Sequence, residues 1–514
     1  MKRLVTALIT VLCAVMLISF SACNGIGTGV TQQDKAVNDG TSEAIEQSGT
    51  SNPADEYAKI IWYMRADSQR DFEVVMKKAN EILKEKINAE IDMRFVEPAS
   101  YNEKMKMVIA SNEYYDICFT GAGYNDYYGN AAKGAFLPLN ELLPKYAPKT
   151  YAQIHEDFWE AVRVGGNIYA VINYQIVGRQ TGMYMLKEYQ ERYNFDLSKA
   201  AKFEDMEQFL KVIKENEPEL YPMSSAKQPL YIIDGFYSMG IDEIGQRHSP
   251  GVVAVGDETL TVVNQYEMQS YIDRLHTVRD WYLKGYISKD AVTDMSSSAM
   301  LEGKVPVHYG NMKPGSEIEV RGSFGGREIV LQKFDNAFVN TSSISATLNA
   351  ISYATRYPEK AMMVLEMANT DKEFYNTLCF GIEGVHYNKI GENEIELVQN
   401  SGYYPNKAWA MGCQFNAYVI KGQPLDIWER TIELNETAER SKLLGFVFDP
   451  SSVSTEIAQC NAVIEEYGPG LWTGSLDPDV YLPQLVEKLK AAGSEKIIAE
   501  KQRQINEWVA KKSK

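Results

Sequence analysis

The sequence is poor in the patterns that chemistry on a substrate needs. Its five histidines (His155, His248, His276, His308 and His386) are far apart and show no metal-ligand spacing. Its six cysteines include no CxxC pair. No G-x-S-x-G, HExxH or P-loop occurs. The Gly-rich stretch Gly322–Arg327 falls between two strand patterns and reads as a loop. No internal repeat is found, which disfavours a structural or adhesive array. Basic charge is also short: 52 Lys and Arg stand against 69 Asp and Glu, a net charge of −17. A chain this acidic is a poor partner for nucleic acid or for anionic lipid. No cofactor and no metal are expected, and an enzyme is not the expected reading.

What is present starts at the N-terminus. Lys2 and Arg3 form a short basic region, followed by the uncharged, almost wholly apolar run Leu4–Ile18. That run fits a secretory h-region and is short for a bilayer span of ~20 residues. Phe20-Ser21-Ala22-Cys23 follows and looks like the lipobox of a bacterial lipoprotein, with Phe20 where Leu is usual. Residues 1–22 are then a signal peptide and Cys23 the lipidated residue. Residues 23–56 contain no aromatic side chain and are rich in small polar residues, so they cannot bury enough apolar surface to order themselves. They read as a flexible tether of ~30 Å reach. Stable anchoring by lipid takes two or more acyl chains. Cys118, Cys379, Cys413 and Cys460 remain. Cys118 reads as a buried thiol, and the four leave two disulfides open.

The body, at 45% hydrophobic residues, is a globular chain long enough for two or three domains. Lys59–Met64 reads as a buried strand. Ser68 with Asp71 resembles a capping box. Phe72, Val75, Met76, Ala79, Ile82 and Leu83 fall on one helical face. Ile91, Met93 and Phe95 alternate with polar residues, Tyr101–Ala110 is helical, and Asp116–Thr120 is a third strand. The order β-α-β-α-β predicts a parallel sheet covered by helices. Further strands are predicted at Ile168–Ile172, Val305–Tyr309 and Ile329–Phe334. Pro358 opens a helix with Ala361, Val364, Leu365 and Ala368 inward. Ser494 caps a last helix, with Ile498, Ile505 and Trp508 on its buried side.

Several phrases in this order resemble bacterial extracellular solute-binding proteins of family 1, the lipoproteins of ABC importers. They are Asp116–Thr120, Gly134–Asn140, Gly165–Val171 and Gly381–Tyr387. Gly445–Pro450, Gly474–Asp479 and Lys488–Gly493 resemble a C-terminal domain of unknown function found on a subgroup of these lipoproteins. The resemblance implies an α/β, two-lobe periplasmic-binding-protein-like fold (type II) with a hinge and a ligand cleft. By analogy lobe one spans 57–174 with 303–340 returning, and lobe two spans 175–302 with 341–436. Residues 437–514 form a helical extension packed on lobe two. The implied role is noncatalytic: a monomer, lipid-anchored on the extracytoplasmic face of the cell membrane, delivers its ligand to ABC permease subunits.

Ligands of parallel α/β sheets lie beyond the carboxyl ends of the strands. A sugar or oligosaccharide needs flat rings for its C–H faces and planar polar groups for its hydroxyls. The candidates are Arg65 and Asp67 after the first strand; Tyr124, Asp126 and Tyr127 after the third; Tyr174, Gln175 and Arg179 at the lobe crossing; Tyr237 after the apolar run Tyr231–Ile233; Asn311 after the returning strand; and Trp409 and Trp472 in Gly- or Pro-flanked stretches. Each has a plainer alternative in core packing or ion pairing; Glu383 and His386 read as holding a loop. The rival readings are a lipoprotein that reports its ligand to a membrane kinase, and a surface glycan-processing enzyme. The second needs two carboxylates flanking a bond, and in so acidic a chain some pair always exists.

Overall fold

A computed structural model describes residues 56–224, 236–293 and 298–512. The expected signal peptide (1–22), the expected lipidation site Cys23, the expected tether up to residue 55 and the run Tyr231–Ile233 lie outside the described residues.

In chain order the elements that build the body are β1 (Ala58–Arg65), α1 (Phe72–Ile87), β2 (Ala89–Val96), α2 (Tyr101–Ala110), β3 (Ile117–Thr120), β4 (Ala170–Ile172) and β5 (Gln180–Leu186). Next come α3 (Glu207–Asn216), β6 (Ile241–Glu243), α4 (Gln269–Leu283), β7 (Val307–Met312), β8 (Ile329–Lys333), β9 (Phe338–Val339) and β10 (Leu348–Ile351). The rest is α5 (Pro358–Thr370), α6 (Lys372–Phe380), α7 (Ile427–Thr437), β11 (Glu439–Arg440), α8 (Ser454–Trp472), α9 (Pro478–Ala491) and α10 (Ser494–Lys512).

Two separate hydrophobic cores make two lobes. The first lobe is a five-stranded sheet ordered β2-β1-β3-β10-β4. β1, β2 and β3 are parallel, and β10 runs antiparallel to both β3 and β4. The β-α-β-α-β pattern thus folds as its periodicity indicates. Val75, Met76, Ala79, Ile82 and Leu83 are the buried face of α1, although α1 begins after Asp71 and no side chain caps it. In α5, Ala361, Val364, Leu365 and Ala368 are fully buried against the same core. Burying one such Val or Leu side chain stabilises by ~1.5–3 kcal/mol.

The second lobe contains the antiparallel sheet β7-β5-β8. This corrects the expected chain crossing. Residues 303–340 were expected to return to lobe one, yet β7 and β8 pair with β5 of lobe two. Residues 341–436, expected in lobe two, supply β10, α5 and α6 to lobe one. The physical reason is that strand pairing is nonlocal, whereas period-2 patterning reports only a strand's own faces. The C-terminal helices α8, α9 and α10 share the core of lobe two through Leu471, Leu482, Leu485, Leu489, Ile497 and Ile505.

Three segments cross between the lobes, and they pair with one another. Arg179 and Phe338 exchange backbone hydrogen bonds at 2.8 and 2.7 Å. β9 then pairs in parallel with β11, with Glu439 N donating to Ala337 O and Ser441 N to Val339 O, both at 2.8 Å. The fully buried Asn435 locks the first crossing. Its Oδ1 accepts from Val177 N (2.9 Å) and Gly178 N (3.0 Å), and its Nδ2 donates to Gln175 O (2.8 Å).

Candidate functional site

The crossings leave lobe one at the edge where β1, β3 and β4 end. Thr120, Leu348 and Ile172 are neighbours across the sheet there, so the hinge and the carboxyl ends of the strands share one edge. A cluster of side chains sits at that edge. Arg65, the last residue of β1, places its guanidinium 4.8 Å from the centre of the Tyr124 ring. Tyr124 packs on the buried Phe119 at 5.6 Å, and Trp409 meets Phe119 edge-on at 5.8 Å. The Lys407 ammonium lies 5.4 Å from the Trp409 ring. Asp67 is exposed two residues beyond Arg65. Burial holds the Lys407 ammonium below its ordinary range; the nearby Arg65 charge pushes the same way and Asp67 opposes it.

The local chain explains why these groups meet. After β3 the backbone turns back on itself, with Gly121 N and Tyr124 O bonded at 2.8 Å and Thr120 Oγ1 donating to Tyr124 O and Asn125 O. Gly121 is required there, because a Cβ would stand 2.3 Å from Ala346 O of the returning crossing. Trp409 is fixed from both sides. Tyr375 Oη donates to Ala408 O at 2.7 Å, and Ala410 O accepts from the amides of Asn173 and Asn349 at 3.0 and 3.1 Å. Asn349 is fully buried in β10 and also accepts from Trp62 Nε1. The loop carrying Lys407 folds over the residues after β1, with Asp71 N bonded to Gly402 O and Tyr404 N to Gln69 Oε1.

Of the twelve candidate positions, Arg65, Asp67, Tyr124 and Trp409 are brought together. Asn311 is exposed on β7 opposite Thr181, at the hinge end of the lobe-two sheet. Gln175 bonds Thr347 Oγ1 at 2.9 Å, between the first and second crossings. Tyr237 stacks flat on Phe338 at 4.2 Å and donates to Glu439 at 2.8 Å, so it rests on the hinge ladder. Arg179 belongs to the same ladder, and with Arg247 and Lys501 it opposes the upward push of burial on the Glu243 carboxyl. Asp126 caps the short helix that follows it by accepting from Gly129 N.

Three candidates are held inside. Tyr127 is fully buried and donates to Val162 O. Tyr174 packs edge-on against Phe415 at 4.8 Å. Trp472 is buried in lobe two, stacked on His248 and bonded to Tyr271 Oη at 2.8 Å. His386, read as a loop holder, accepts from Ile382 N at 2.9 Å. Lys407 joins the hinge-edge cluster and is missing from the sequence candidates; a cation two residues before a tryptophan in a Pro- and Gly-flanked stretch was its only signal, and that tryptophan proves half-buried in the short helix Ala408–Met411. All four body cysteines are free and buried. Among the described residues, no group of three or more His, Cys, Asp or Glu could hold a metal ion.

Residues 442–510 match the family described as a domain of unknown function (DUF3502). Over 465 residues the chain is 28% identical to a carbohydrate ABC transporter substrate-binding protein of Streptococcus pneumoniae serotype 4 (strain ATCC BAA-334 / TIGR4), covering 88% of this chain and 91% of that one. The crystal structure of the N-glycan transport solute binding protein NgtS from Streptococcus pneumoniae overlays with a TM-score of 0.79 at 26% identity, covering 88% of this chain and all (100%) of that one. NgtS in complex with Man1GlcNAc overlays at 0.68, with 27% identity and the same coverage, 88% and 100%. The fold is the two-lobe solute-binding fold.

Proposed function

From its homology to carbohydrate ABC transporter substrate-binding proteins, we propose that this chain captures an oligosaccharide between its lobes and delivers it, unaltered, to an ABC permease. The observation that carries the reading is the aromatic and charged cluster Arg65–Tyr124–Trp409–Lys407 at the hinge edge of lobe one. Flat rings at that edge accept the C–H faces of a sugar, and the guanidinium and ammonium donate to its oxygens. The three paired crossings allow the lobes to rotate while the ladder stays intact, which is how hinge closure buries a ligand on both sides. The better overlay on NgtS than on its Man1GlcNAc complex fits a fold with more than one lobe arrangement.

Under this reading Cys23 carries lipid and the body works as a monomer on the extracytoplasmic face of the membrane. A thermal-shift and calorimetric screen of oligosaccharides against the mature chain tests capture. A ligand at one hundred times its Kd stabilises by ~2.7 kcal/mol. Recovery of the intact glycan supports transport, and its cleavage would favour the enzyme reading instead. Cys23→Ala is expected to move the protein from the membrane fraction to the soluble one; retention in the membrane contradicts the anchor.

A further inference from the structure

Resting on the oligosaccharide reading above, we propose that the preferred glycan is acidic, and that a sugar carboxylate, of a uronate or a sialic acid, seats between Arg65 and Lys407. Both cations stand over aromatic faces that share the Phe119 ring as their base. Among the described residues neither has a carboxylate within ion-pair distance or a hydrogen-bond acceptor. Acids outnumber bases on this chain by 69 to 52, and the half-buried Lys313, like the more exposed Lys86 and Lys284, does find a carboxylate. Lys86 pairs with Asp371 at 2.7 Å, Lys284 with Glu207 at 2.7 Å and Lys313 with Glu319 at 2.9 Å.

The charges facing this pair are few. Asp67 is near enough to favour the Lys407 ammonium but makes no ion pair. Glu97 accepts from the backbone of Ser68 instead. Two cations against one exposed carboxylate leave the spot positive, and each repels the other.

A site for neutral hydroxyls alone has no need of this arrangement, since amide side chains satisfy hydroxyls without two half-buried like charges. One carboxylate between the two groups removes the repulsion and accepts charge-assisted hydrogen bonds from both, about twice as strong as neutral ones. Lobe closure would exclude water and strengthen that attraction further.

The test is calorimetry on the mature chain with matched probes. The probes are oligogalacturonate beside its methyl ester, and a sialylated N-glycan beside the same glycan without sialic acid. At low salt the carboxylate member of at least one pair is expected to bind ~10-fold more tightly or better, with the ratio shrinking as salt screens it. Which pair shows the ratio tells a uronate from a sialic acid. In Arg65→Gln and Lys407→Gln, checked as folded by thermal denaturation, the ratio is expected to approach one. Equal or tighter binding of the neutral members overturns the acidic assignment and leaves oligosaccharide capture standing. Failure of every glycan to bind overturns both.

Discussion

Replacing Asn435 tests the hinge most sharply. Its side chain is fully buried and makes three bonds to the backbone of the first crossing: it accepts from Val177 and Gly178 and donates to Gln175. In Asn435→Ala those two N–H groups and one carbonyl lose their partner where water has little access. Each orphaned buried group costs ~1–3 kcal/mol. Relaxation and non-additivity bring the total to about 3–5 kcal/mol, a large fraction of the ~5–15 kcal/mol that holds a domain folded. Urea unfolding followed by circular dichroism measures the loss, and hydrogen exchange at the Val177 and Gly178 amides localises it. Asn388→Ala, at an exposed asparagine, is the control and should stay within ~0.5 kcal/mol of the parent. A loss below ~1 kcal/mol in Asn435→Ala, with unchanged protection of the two amides, would refute the locking role.

Trp409→Ala should weaken oligosaccharide binding by about 2 kcal/mol, roughly thirtyfold, in calorimetry; unchanged affinity would remove Trp409 from the site. Asn349→Leu should lower the melting temperature by breaking the buried bonds to Trp62, Asn173 and Ala410, and should weaken binding through the freed Trp409. Burial pushes the Asp242 carboxyl up to about 7 while the Ser441 hydroxyl bonded to it pulls the other way. The folded state therefore holds a proton that the unfolded state releases, so Asp242 should withdraw up to roughly 4 kcal/mol of stability as pH rises from about 4 through 7. Denaturation midpoints across that range in the parent and Asp242→Asn check it, and the variant should lose the slope.

The helices and strands of lobe one were readable because one face of each is apolar at the right period. Which lobe each strand joins was not. Leu348–Ile351 is interrupted by the polar Asn349, which hides a fully buried strand from pattern reading, and the amide is tolerated only because Trp62, Asn173 and Ala410 satisfy it. Trp409 and Trp472 looked alike in sequence, each beside Gly or Pro. The run Tyr467-Gly468-Pro469-Gly470 reads as a loop yet lies inside α8, and Gly468 is there because the Trp472 ring covers it: a Cβ would stand 2.5 Å from that ring. Lys501 defeats pattern reading in another way. It occupies the buried face of α10 between Ile497 and Ile505, and its ammonium donates to Pro250 O and Gly251 O at 2.8 and 2.9 Å. The sequence shows a charge there, and only the folded chain shows the carbonyls that hold it.

Small-angle X-ray scattering of the mature chain, alone and saturated with its tightest-binding oligosaccharide, bears most directly on capture between two moving lobes. The radius of gyration is expected to fall on saturation as the lobes close. An unchanged radius at saturation would contradict closure around the ligand.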